Sequence, residues 1–318
     1  MGLYISFFPQ LIAGPIVRYQ TIADEIKNRK ETLEDFSNGF VRFTIGMSKK
    51  VLLANAFALV ADTVFDKVGD GQGVSVALAW LGAICYTLQI FYDFSGYSDM
   101  AIGLGAMFGF HFLENFNYPY ISTSITEFWR RWHISLGSWF RDYIYIPLGG
   151  SRVNKARLVR NLFIVWMLTG VWHGANWTFI LWGFMYFVLL TLEKLTGLNR
   201  KDNCKFLRWI YTILFVMLGW VFFRSDSIGA ALSYVGSMFG ASSTSVTDGL
   251  FFNELKSIQF LLPLGILFST PIIPYLKKKI KTNKLTDIIV ILLLIGLFML
   301  SLANLVGSSY NPFIYFNF

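Results

Sequence analysis

The chain contains only three histidines, His111, His133 and His173. Imidazole titrates near neutrality, so a positioned histidine can take a proton from a hydroxyl without help from a metal ion. His173 stands in Trp172-His173-Gly174-Ala175-Asn176, inside a stretch from Asn161 to Leu192 that holds no Asp, Glu, Lys or Arg. An ionisable group in so apolar a segment is costly and points to function. Two readings stay open: a buried neutral ring bonded to a carbonyl, or a general base that activates a hydroxyl nucleophile. Asn176, one helical turn on, is a candidate to donate to an oxyanion or to orient the ring. His133 follows Arg130, Arg131 and Trp132. It reads either as an ordinary boundary residue of an amphipathic helix or as a second polar group in the same cavity as His173. Trp132 and Trp172, each just ahead of a histidine, are candidates to line a substrate site. Arg130, Arg131 and Arg141 either snorkel to a membrane interface or hold the phosphates of a lipid or a nucleotide-bearing donor. His111 reads as a loop residue. Asp93 and Asp99, in Tyr92-Asp93-Phe94-Ser95-Gly96-Tyr97-Ser98-Asp99, read as hydrogen-bonding groups that end a span and fix a helix break.

The elements that must carry these residues are membrane helices. Of 318 residues 55% are hydrophobic and only 14% charged, against about 25% charged in soluble domains. The net charge of +8 resides between long apolar runs, which fits cationic cytoplasmic loops and not nucleic-acid binding. Cys85 and Cys204 make neither a zinc motif nor a disulfide framework, and no metal-ligand set is expected. No GxSxG, Walker A or HExxH motif is present, which leaves a conventional soluble hydrolase or ATP-driven pump without support. Met1 to Ile16 reads as a short broken segment and not as a signal peptide.

About 20 apolar residues cross a hydrocarbon core of roughly 30 Å. Val74 to Tyr92, Phe206 to Phe223 (with Arg208 snorkelling) and Ile288 to Tyr310 fit that length, as does Ser257 to Leu276 with kinks at Pro263, Pro271 and Pro274. Val51 to Phe65 and Met100 to Leu113 are shorter buried or tilted segments. Asn161 to Leu192 is too long for one crossing, and Gly170 and Gly174 offer a break. It reads as a hairpin or broken helix whose basic flanks, Arg157 with Arg160 and Lys194 with Arg200, both lie in the cytoplasm. Its tip, with His173, then lies at membrane depth, where broken backbone must face protein or a water-filled cavity. Thr126 to Arg141 reads as one amphipathic helix lying in the interface. Phe128, Trp129, Trp132, Leu136, Trp139 and Phe140 form its apolar side, and Glu127, Arg130, Arg131 and Arg141 its polar side. Lys277, Lys278, Lys279, Lys281 and Lys284 place their loop in the cytoplasm. Alternation then puts Ser225 to Glu254 outside, Lys194 to Arg208 inside and Asn311 to Phe318 outside. The residues alone thus give an all-α, polytopic membrane protein with broken or re-entrant helices around an intramembrane cavity. An intramembrane transferase and a transporter or flippase that uses His173 as a proton relay are both live.

Five stretches resemble the membrane-bound O-acyltransferase family, and within it the alginate O-acetyltransferase branch. They are SFFPQLIAGPIVRY from Ser6, QIFYDFSGYSDMAIGLG from Gln89, the block from Asn115 to Gly150 with TEFWRRWHISLGSWFRDYIYIPLGG, LTGVWHGANWTFILWG from Leu168, and NPFIYFNF from Asn311. They run from one end of the chain to the other, so residues 1–318 are expected to form a single domain of that kind. Similar proteins carry further spans ahead of SFFPQLIAGPI, and the chain is expected to lack them. The resemblance makes His173 the family's invariant histidine and His133 its second characteristic one. It implies a multi-pass protein of the bacterial inner membrane that passes an acyl group, acetyl by branch, from a cytoplasmic thioester such as acetyl-CoA. The implied acceptor is a hydroxyl of an extracytoplasmic polysaccharide, reached with extracytoplasmic partner proteins. No bound cofactor is implied.

Overall fold

A computed structural model describes residues 2–7, 14–200, 203–280 and 283–307. Every regular element among them is helical. In chain order these are α1 (Gly2–Ile5), α2 (Tyr19–Asn28), α3 (Leu33–Ser48), α4 (Asn55–Gly69), α5 (Val76–Met107), α6 (Ile125–Arg131), α7 (Ile134–Phe140), α8 (Lys155–His173) and α9 (Trp177–Thr196). There follow α10 (Lys205–Arg224), α11 (Ile228–Met238), α12 (Gly249–Ser257), α13 (Leu261–Phe268), α14 (Ile272–Lys279) and α15 (Lys284–Gly307). Side-chain oxygens start many of them, as orphan N–H groups at a helix start require. Thr32, Ser75, Ser124, Asn154, Asn176, Ser227 and Asp248 each accept a backbone N–H of the first turn that follows. Among the described residues α5, α9, α10 and α15 are each long and apolar enough to cross a membrane, and α12 with α13 forms a pair bent by 63°.

α5 is the axis of the fold. Its 32 residues run about 48 Å, and most of its length is buried. The expected end at Tyr92 does not occur, and Met100 to Leu113 is not a separate segment: α5 continues to Met107. The physical reason is that its acidic residues find cations on the neighbouring helix. Asp93 Oδ1 lies 2.6 Å from Lys50 Nζ, and Asp99 accepts from Lys49 Nζ at 2.6 Å and from Arg42 at 2.9 Å. A partnered carboxylate does not force a helix to break. Lys49–Ala54 is a π-helical segment that joins α3 to α4, so the span expected at Val51 to Phe65 is part of a longer helix that begins at Leu33.

α3 and α5 pack antiparallel through glycines. A Cβ on Gly46 would lie 2.6 Å from Gly96 O and 2.7 Å from Met100 N, and one on Gly39 would lie 2.5 Å from Gly103 O. Small residues at such a seam let two backbones touch. Gly46→Ala is therefore expected to push the helices apart at a cost of about 1–3 kcal/mol. Unfolding of the purified variant in detergent measures this, and a change under about 0.5 kcal/mol would show that the seam is not tight.

α8 and α9 form the expected hairpin, broken at Gly174-Ala175-Asn176. Its arms touch where a Cβ on Gly183 would meet Trp166 O at 2.5 Å and one on Gly170 would meet Phe179 O at 2.7 Å. Gly174 has φ +148°, and a Cβ there would lie 2.9 Å from the Phe179 ring. α15 rests on α3 through Ser48 Oγ and Ser301 Oγ, 3.1 Å apart, and leaves most of its apolar surface exposed.

A further expectation is corrected. Thr126 to Arg141 is not one interfacial helix: α6 ends at Arg131, and His133 has left-handed φ 45° and ψ 55° before α7 begins. Asn117 N donates to Arg131 O (2.9 Å) and Ile134 N to Asn115 O (3.0 Å), so the Asn115–Asn117 segment holds the break open. Of the expected apolar side, Phe128, Trp132, Leu136 and Phe140 are buried in the protein, Trp129 is partly buried and Trp139 is exposed. Arg208 is buried in the first turn of α10. The expected outer C-terminus at Asn311 to Phe318 lies outside the described residues, as does Lys281.

Candidate active site

Glu193, at the end of α9, sets the position of α6. It is fully buried, and its two carboxylate oxygens accept from Ile125 N (2.6 Å), Thr126 N (2.9 Å) and Thr126 Oγ1 (2.6 Å). A carboxylate at a helix start meets both the orphan donors and the positive end of the dipole. α6 in turn delivers Trp129 and Trp132 to an aromatic cluster. Trp129 packs edge-on to Trp166 (4.8 Å), Trp182 (5.5 Å) and Tyr186 (4.9 Å), and Trp132 lies 4.8 Å from Trp220.

Against that cluster lies a small cavity of about 30 Å³, lined by Phe94 of α5, Trp132, His133 and Leu136 of the α6–α7 corner, Thr169 and His173 of α8, and Trp220 and Phe223 of α10, among others. A space of that size holds about one or two waters. His173 closes α8 and meets Trp182 (5.1 Å), Phe223 (5.0 Å) and Trp172 (4.9 Å) edge-on. His133, buried, stands edge-on to Phe94 at 4.7 Å. Trp172 lies 6.3 Å from His133 as well, so one indole flanks both imidazoles. Trp172 is itself half exposed. Residues forty positions apart in sequence thus share one aromatic-lined space.

Of the residues singled out from sequence, His133, His173 and Trp132 line this cavity, and Trp172 touches both histidines. Asn176 does not line it. Its Oδ1 accepts Thr178 N (3.1 Å) as the cap of α9, and its Nδ2 donates to Asp226 O (2.8 Å). Arg131 pairs with Glu127 at 2.9 Å and donates to Asn117 O at 3.1 Å. Arg130 is exposed. His111 is an exposed loop residue whose Nε2 lies 3.4 Å from Asp35 Oδ1. Among the described residues no group of three or more His, Cys, Asp or Glu side chains converges as a metal site.

Sequence reading missed Asn115, the buried neighbour of His133. Its Oδ1 lies 3.2 Å from His133 Nδ1 and accepts from Ser135 N at 3.1 Å. The available signal was its place at the head of the block that carries His133. Glu193 was missed because it reads as the first polar residue after the apolar run, and hence as a membrane exit.

An all-helical fold with long apolar helices thus brings two histidines to one small aromatic cavity. Residues 1–232 match the membrane-bound O-acyltransferase family, and the chain belongs to it. With its apolar helices, this makes it a multi-pass membrane protein. It is similar to a probable alginate O-acetylase AlgI of Pseudomonas syringae pv. tomato, 52% identical over 246 residues, which cover 77% of this chain and 47% of that protein. It is also similar to a probable alginate O-acetylase AlgI of Pseudomonas putida, 41% identical, over 99% of this chain and 68% of that protein. A peptidoglycan O-acetyltransferase of Helicobacter pylori is 41% identical over 77% of this chain and 47% of its own length. The chain spans about half the length of the first and third of these relatives.

Proposed function

We propose that the chain forms the acyl-transfer core of a membrane O-acetyltransferase. It moves acetyl from a cytoplasmic thioester, acetyl-CoA being the simplest, to hydroxyls of an extracytoplasmic polysaccharide. The observation that carries this reading is the shared cavity of His133 and His173 in a chain of this family. His173 takes the proton of an acceptor hydroxyl as its oxygen forms the new C–O bond to the acetyl carbonyl. The carbon–sulfur bond then breaks, and the thiolate regains a proton from the imidazolium. The aromatic walls keep water from hydrolysing the thioester. An acetyl group with its attacking hydroxyl needs more room than a cavity of about 30 Å³ has, so side chains around the two rings, half-exposed Trp172 among them, move to admit them. Arg130, exposed, suits a contact to donor phosphates. The acceptor oxygen belongs to the polysaccharide or to an extracytoplasmic partner protein that relays the acetyl group. The site of action is the bacterial inner membrane, with Lys277 to Lys279 cytoplasmic.

The test is the base-labile acetyl ester content of surface polysaccharide in a strain lacking the gene, with and without the full-length protein restored. Loss on deletion and recovery on complementation are expected. Unchanged ester with an altered distribution of polymer would favour a transporter that uses His173 as a proton relay.

A further inference from the structure

Asn115 is buried to 1% exposure and is bonded at both ends of its amide. Nδ2 donates to Ser98 Oγ of α5 at 3.1 Å. Oδ1 accepts from Ser135 N at 3.1 Å and from Ser135 Oγ at 2.9 Å, and it stands 3.2 Å from His133 Nδ1. The two ends of an amide are told apart by their partners. Ser135 N is a backbone donor with no other role, so the amide atom facing it is oxygen. Turning the amide over would set two N–H donors against each other at 3.1 Å. His133 Nδ1 therefore faces an acceptor. The Ser135 hydroxyl, 3.4 Å from Nδ1, has one proton, which it gives to the nearer Oδ1.

We propose that Asn115 is a positioning residue that holds His133 as its Nδ1–H tautomer, so that Nε2 is the lone-pair nitrogen of a ring lining the cavity shared with His173. The left-handed backbone at His133 and the bonds from Asn115 to Ser98 and Ser135 fix the ring from three sides, through α5, the Asn115–Asn117 segment and α7. The consequence for catalysis rests on the transferase reading. There, an accepting Nε2 takes a hydrogen bond from a second hydroxyl of the polysaccharide acceptor and so orients the reacting hydroxyl, whose proton His173 takes.

The experiment has two arms. The full-length protein is labelled with 15N-histidine in lipid nanodiscs, and its few imidazoles are assigned with His133→Gln. In wild type, His133 Nδ1 is expected to carry the proton and Nε2 to carry none. Asn115→Asp, which keeps the acceptor, should preserve that pattern. Asn115→Leu, which removes it, should shift the ring to Nε2–H or to a mixture. A wild-type Nε2–H ring, or an unchanged tautomer in Asn115→Leu, overturns the proposal, and the wild-type spectrum decides even if Asn115→Leu does not fold. The second arm is acetyl transfer. Asn115→Leu should lose about 10- to 100-fold in kcat, as displacement of a positioned group does, with donor KM unchanged and Asn115→Asp restoring most of the rate. Equal losses in both variants that track thermal stability would make Asn115 a mere tie and overturn its positioning role. If wild type transfers no acetyl group, the transferase reading fails, and the tautomer still judges Asn115.

Discussion

His173→Ala is expected to abolish acetyl-ester formation and leave the protein folded. A positioned general base supplies about 10²- to 10⁴-fold of rate, and among the described residues the cavity offers only His133 as a second imidazole. His133 sits on a different element, with its Nδ1 engaged by Asn115, so it does not substitute. Folding is preserved because the hairpin is pinned elsewhere, by Gly170 and Gly183 against the opposite backbone and by the Asn176 cap. Removing the ring forfeits edge-on contacts with Trp182 and Phe223, each worth about 0.5–1.5 kcal/mol. His173→Phe keeps much of that packing and should be as inactive as the alanine variant. Acetyl transfer by purified protein, with thermal unfolding alongside, measures both. Activity of His173→Ala within about threefold of wild type would remove His173 from the mechanism.

His173 was conspicuous in sequence, since an imidazole in a charge-free stretch between glycines has few innocuous explanations; His133, beside Arg130 and Arg131, read equally as a boundary residue of an amphipathic helix, and only the fold puts it on the same cavity. The α8–α9 hairpin was legible for a related reason, since Asn161 to Leu192 is too long for a single crossing and Gly174 supplies a break. What was not legible depended on tertiary partners. Asp93 and Asp99 look like the end of a span until Lys50, Lys49 and Arg42 are placed beside them by the α3–α5 glycine seam. Thr126 to Arg141 has the periodicity of one helix. The break at His133 comes from Asn115 and Asn117, more than ten residues earlier, competing for the same backbone groups. Periodicity reports which face is apolar, and it is silent on whether lipid or protein covers that face.

Glu193→Ala is expected to cost more stability than most single changes in this chain, and to lower activity at a distance. The carboxylate is the acceptor for two backbone N–H groups and one hydroxyl at the start of α6, in a fully buried place. Each donor left without a partner costs about 1–3 kcal/mol, and the favourable charge at the helix start is lost as well. A total of about 3–5 kcal/mol follows, since the three losses share one site and do not add fully. Glu193→Gln keeps one oxygen but turns an NH2 toward the donors, so it should fall between alanine and wild type. The functional effect follows from the path of the chain. α6 carries Trp129 and Trp132 into the cluster and hands directly to His133. If its first turn frays, the corner at His133 loses its anchor while His173, on the separate α8–α9 hairpin, keeps its own. Activity should therefore drop in the order Gln then Ala, in step with unfolding midpoints, and 15N spectra should show the His133 ring disturbed and the His173 ring little changed. A stable Glu193→Ala protein with wild-type activity would mean that α6 is held by its aromatic packing alone.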